Sequence, residues 1–155
     1  MKAVFTTVFG LVICIASSQT LLKPDRVFDG KEMHDNWVVL VDGNRITQVG
    51  LMSNMKLPIG TEVIDLKGKT IMPGLIEGHS HILLHPYNET SWNDQVLKES
   101  PVERSIRAVN HMEASLMSGV TTMRDLGSEG AGYSDVYIKK STEEGIIIGP
   151  RLLVA

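Results

Sequence analysis

The stretch Ile71-Met-Pro-Gly-Leu-Ile-Glu-Gly-His-Ser-His-Ile82 decides how the rest of this 155-residue chain is read. Apolar residues occupy both parities of it, the pattern of a strand covered on both faces, as in a parallel sheet. The apolar run extends to Leu84 and is interrupted only by Glu77, Gly78 and the group His79-Ser80-His81. Side chains alternate along a strand, so imidazoles two residues apart point the same way and sit close enough to grip one ion. Imidazole suits zinc and similar divalent metals, and a catalytic zinc usually takes three protein ligands plus water. His79 and His81 therefore read as half of a metal site.

Downstream the hydrophobic period becomes helical. Residues 85–100 form a polar loop, after which Pro101 sits at a helix's first position, with Ser100 as N-cap and Glu103 as first-turn acid. Val102, Ile106, Val109, Met112 and Leu116 recur at helical spacing, and Gly119 stops the helix. Residues 120–125 read as the next strand, 127–132 as a flexible loop, 135–144 as a second helix and 150–155 as the start of a third strand. Strand, helix, strand, helix, strand means α/β architecture with parallel βα units. A closed barrel of eight such units takes about 250 residues, so the chain is expected to be the front of a larger protein.

Upstream, residues 19–70 form a β-rich segment. Arg26-Val-Phe28 runs into the turn dipeptide Asp29-Gly30. Trp37-Val-Val-Leu-Val41, Asp42-Gly43-Asn44 and Ile46-Thr-Gln-Val49 describe a hairpin. Glu62-Val-Ile-Asp-Leu66 and Thr70-Ile-Met72 flank Lys67-Gly68-Lys69 and suggest another. Trp37 and the methionines fit core packing.

Residues 1–18 differ from both segments. Lys2 precedes an uncharged apolar run, residues 3–15, and then Ala16-Ser17-Ser18, the layout of a secretory signal peptide. The run is short of the roughly 20 residues of a membrane span, so the mature chain is expected to be exported with no stable membrane anchor. The single cysteine, Cys14, lies inside this leader, which leaves the mature protein without a disulfide. Ile13 is too large to precede a lipid-modified cysteine. With 15 basic against 18 acidic residues and no Lys/Arg block, nothing suggests a nucleic-acid groove.

The stretch Val63-Ile-Asp-Leu-Lys-Gly-Lys-Thr-Ile-Met-Pro-Gly-Leu-Ile-Glu-Gly-His-Ser-His81 resembles the opening of the amidohydrolase superfamily. Gly119-Val-Thr-Thr-Met-Arg-Asp-Leu-Gly127 and Gly149-Pro-Arg-Leu-Leu153 resemble the second and third strand regions of its prolidase-like and imidazolonepropionase-like subgroup. The resemblance implies the N-terminal part of a (β/α)₈ TIM barrel, about three strands and two helices over residues 71–155, preceded by part of a small β-sandwich. It implies a hydrolase with one or two divalent metal ions, most simply zinc, and His79 and His81 as the strand-one ligands. The remaining ligands and a proton-moving aspartate would come from later strands. Glu77 stands where related sequences often carry aspartate; it could hydrogen-bond a ligand's ring or act as a pore-lining ionic group.

Other candidates surround the strand ends, where sites of this barrel type lie. Asp125, with Arg124, could support the site or form a structural ion pair. His85 and Tyr87, in the loop after the first barrel strand, could touch substrate. His111 reads as a solvated helix residue, and Asn88-Glu-Thr90 matches a glycosylation acceptor pattern. The implied function is cleavage of a carbon–nitrogen bond in a small molecule or dipeptide, first as an exported prolidase-like dipeptidase and alternatively as an imidazolonepropionase-like cyclic amide hydrolase. A non-catalytic remnant or binding module is the rival class. The 155 residues alone, with only two ligands and an open sheet, are expected to be inactive.

Overall fold

The computed structural model describes residues 19–155, and the expected leader, with Cys14, lies outside the described residues. The described residues fall into two compact units, divided between Pro73 and Gly74. Among the described residues no helix is long and apolar enough to cross a membrane.

The first unit is a five-stranded sheet built on β1 (Gln19–Phe28). β2 (Met33–Asp35) and β3 (Trp37–Asp42) pair with β1 antiparallel, β4 (Arg45–Leu51) extends β3, and β5 (Glu62–Ile71) runs parallel to β1. The hairpin expected around Asp42-Gly43-Asn44 is present as β3–β4, with Gly43 at φ 57° supplying the conformation its tight turn requires. Leu21, Val38 and Leu40 form a small core, with Met55 and Leu57 packed against it.

The hairpin expected at Lys67-Gly68-Lys69 is not formed. β5 continues through it, and the ladder with β1 shifts between Pro24 and Arg26. Pro24 has no N–H to give to a ladder. Gly68, at φ 78°, lets the chain bulge at that point, and its N–H donates to Asp25 Oδ2 at 3.0 Å. A glycine suited to a turn served a bulge instead, because the strand's partner lies some forty residues earlier.

The second unit is a parallel sheet of β6 (Leu75–Ser80), β7 (Val120–Asp125) and β8 (Arg151–Leu153) in sequential order. α1 (Trp92–Leu97) and α2 (Pro101–Met117) connect β6 to β7, and α3 (Ser134–Glu143) connects β7 to β8. Gly74 is required by packing, since a Cβ there would lie 2.1 Å from the Thr121 side chain. The N-terminus of α2 is as its sequence dictates: Ser100 caps it by accepting the Glu103 N–H at 3.1 Å, with Pro101 in the first turn. α1 falls inside the segment read as loop. Six residues are too few to display a period, although Ser91 caps it.

Two expectations about packing are corrected. β6 ends at Ser80, so His81 stands just beyond the strand, and Leu75 and Ile76 are exposed rather than covered. On α2 the buried face carries Arg104, Ala108 and Met112, whereas Val102 and Ile106 are 68% and 66% exposed. Ala108 permits close approach of the helix to the sheet. Arg104 can be buried because backbone carbonyls accept hydrogen bonds from its N–H groups, which a hydrophobic period does not register. The core joins Ala108 and Met112 to Ile82, Leu83, Met123, Ala131, Ile138 and Leu152.

Candidate functional site

The C-terminal ends of β6 and β7 gather the polar groups of the second unit. His79 is the penultimate residue of β6 and His81 follows the strand, with Ser80 between them turned to donate its hydroxyl to the Arg124 carbonyl at 2.8 Å. That bond, together with the Leu126 N–H on the Ser80 carbonyl at 2.9 Å, pins the intervening residue to β7. The two imidazole centres lie 5.7 Å apart with planes inclined at 67°. Rings sharing a tetrahedral ion through nitrogens about 2.0–2.1 Å away have centres roughly 5 Å apart, so the separation of this pair is close to that of two ligands on one metal. Among the described residues no group of three His, Cys, Asp or Glu side chains is placed to hold an ion.

Glu77 does not extend toward the rings' far side. Its Oε1 accepts the His79 N–H at 2.8 Å, so the carboxylate braces the backbone of the strand end. Asp125 is fully buried, and its Oδ1 accepts the Ile82 N–H at 3.1 Å while Oδ2 has no partner among the described residues. Burial raises its carboxyl to about 6, with Asp135 adding to the rise and the Ile82 N–H opposing it. The ion pair weighed for Arg124 and Asp125 is absent, because neighbours on a strand face opposite ways: Arg124 is exposed and Asp125 buried.

His85 and Tyr87 line an open cleft of about 530 Å³ together with His81, Glu89 and His111. The loop bearing them is stapled by Gln95 of α1, fully buried, which accepts the His85 N–H and donates to the carbonyls of His85 and Thr90. His85 Nδ1 lies 3.5 Å from Glu89 Oε2, and its ring stands edge-on to that of His111 at 5.8 Å.

His111 corrects the sequence reading, since it is half-buried in the cleft wall rather than solvated. Burial, then the neighbouring His85 and Arg107, lower its pKa below the usual histidine value. Glu129, Arg104 and Gln95 went unnoticed in the sequence as well. Glu129 Oε1 sits 3.5 Å from His81 Nδ1, although the two residues are far apart along the chain. Only the parity of α2, had its buried face been known, would have flagged Arg104.

The sequence profile of the Amidohydrolase family matches residues 70–155. An imidazolonepropionase of Alkaliphilus metalliredigens (strain QYMF) is 39% identical over 66 residues, which cover 39% of this chain and 15% of that enzyme. Among solved structures, an amidohydrolase superposes with a TM-score of 0.72 at 33% identity, over 89% of this chain and 31% of its own. A prolidase complexed with N-methylphosphonate-L-proline superposes with a TM-score of 0.69 at 29% identity, over 88% of this chain and 31% of its own. The chain thus spans less than a third of the length of these relatives. Its parallel βα units are the opening of their TIM-barrel fold.

Proposed function

The chain belongs to the amidohydrolase family, and from that premise we propose that the protein hydrolyses a carbon–nitrogen bond in a small molecule, with His79 and His81 as two ligands of a divalent ion, zinc by the softness of imidazole. The observation that carries the reading is the pair of rings 5.7 Å apart at the C-terminal end of a parallel strand. Such an ion, when bound, supplies a Lewis acid for the scissile carbonyl and acidifies a water for attack. The chain's own groups hold the geometry. Ser80 and Asp125 fix the backbone on either side of His81, and Glu77 braces that of His79.

The substrate occupies the cleft beside His81, with Tyr87, His85 and His111 as contacts. A dipeptide is the first reading, favoured by the likeness to a prolidase over most of the chain. A cyclic amide of the imidazolonepropionase kind is the second, favoured by the higher identity over a shorter segment. Export before action is part of the first reading, supported by the layout of residues 1–18.

Assay of the zinc-loaded intact polypeptide against Xaa-Pro dipeptides and against imidazolone propionate separates the two substrates. Hydrolysis of either, abolished by His79→Ala and by His81→Ala together with loss of bound zinc, is the expected result. Turnover and metal content that survive both substitutions overturn the proposal.

A further inference from the structure

The loop after β7 is arranged to hold one carboxylate against His81. The Nδ1 atom of His81 faces two acceptors, the Gly127 carbonyl at 3.4 Å and Glu129 Oε1 at 3.5 Å. Among the described residues its Nε2 meets no such partner. A neutral imidazole carries one N–H, and the proton resides on the nitrogen that acceptors face. These acceptors favour the proton on Nδ1, an arrangement that leaves the Nε2 lone pair for a metal.

Glu129 reaches this position at a conformational cost. Its φ is 49°, in the left-handed region that a glutamate rarely adopts. Such conformations persist where the surroundings over-determine them, and they concentrate at functional sites. The surroundings here can be named. Arg104, 1% exposed, donates to the Glu129 carbonyl at 2.9 Å, the Ser128 carbonyl at 2.9 Å and the Leu83 carbonyl at 3.1 Å. Its guanidinium thereby ties the loop after β7 to the segment after β6. Trp92 Nε1 donates to the second carboxylate oxygen, Glu129 Oε2, at 3.2 Å.

We propose that Glu129 is a positioning residue that fixes His81 as the Nδ1–H tautomer and leaves Nε2 to the site, with Arg104 and Trp92 holding Glu129 in place. The inference deepens the reading of His81 as a metal ligand and rests on it, but the tautomer itself is a property of the metal-free protein.

The test is nitrogen-15 NMR of histidine-labelled intact polypeptide, metal-free and at mildly alkaline pH, with the His81 signals assigned by their loss in His81→Gln. The wild type is expected to show Nδ1 protonated. Glu129→Gly places glycine at a backbone angle it favours, so the variant keeps its fold. It is expected to shift His81 toward the Nε2–H tautomer and to weaken zinc binding about 10–100-fold. Glu129→Gln, which retains an acceptor oxygen, should rescue the tautomer and most of the affinity. A His81 tautomer unmoved by Glu129→Gly overturns the inference whatever zinc does. Zinc affinity insensitive to His81→Gln, with the tautomer still governed by Glu129, overturns the metal reading and leaves the positioning role standing.

Discussion

In the turn after β1, Asp29 Oδ1 accepts the N–H groups of Lys31 and Glu32, two and three residues on. In the loop after β7, Arg104 reaches back carbonyls 24 and 25 residues away. The first turn could be assembled by a short peptide; the second loop exists only once α2 has packed. Such dependence is costly for a mere connection, because a buried guanidinium must find every partner. It is what a site needs, since geometry held from several elements resists local fraying. The candidate metal ligands lie in the unit whose loops are tied from a distance.

The sharpest way to break this contrast is Arg104→Ala. Three backbone carbonyls, one buried and two part-buried, would lose a charged donor, and hydrogen bonds of that kind are each worth about 1.5–3 kcal/mol, so a loss of at least about 4 kcal/mol is expected. Amide hydrogen exchange should accelerate at residues 83–85 and 127–131 first. Uniform acceleration across both units, or none, would remove the distinction.

A middle-sized effect concerns Asp125. Its folded pKa of about 6 is raised above the ordinary value of 3.8, so its favourable contribution is full below the unfolded value and fades as pH rises through about 6. Asp125→Asn keeps an acceptor for the Ile82 N–H and removes the buried charge. The variant should be more stable than wild type above neutrality, by about 1–3 kcal/mol, with the gain vanishing near pH 4. Denaturant unfolding at the two pH values checks this, and an equal difference at both would contradict it.

The smallest effect is expected at Asp29. Glu32's N–H, the His34 ring and Lys31's N–H hold its carboxyl well below the usual carboxylate range, but the group faces solvent. Asp29→Ala should loosen exchange at residues 31 and 32 while leaving the Tm and the second unit unchanged. A fall in Tm rivalling that of Arg104→Ala would show that the first unit is not held locally.

What could be read in advance follows the same division. The α2 cap at Ser100 and the β3–β4 turn at Gly43 were legible because their donors and acceptors are neighbours in sequence. The strand alternation expected to align His79 with His81 stops between them, since β6 ends at Ser80 and its ladder with β7 shifts between Glu77 and Ser80. The bulge at Gly68 was misread as a turn, since its cause is Pro24 on another strand. The place of His111 in the cleft wall is not legible, because nothing in α2's sequence announces that His85 lies across from it.

The sequence by itself determined the succession α2, β7, α3, β8, the β3–β4 hairpin and the family motif, all of which are set by the geometry of adjacent residues. Tertiary structure alone decided that Arg104 is buried, that Asp125 carries a raised pKa and that Glu129 faces His81. Desolvation and long-range hydrogen bonds have no value until distant segments meet, and no periodicity along the chain records where they will.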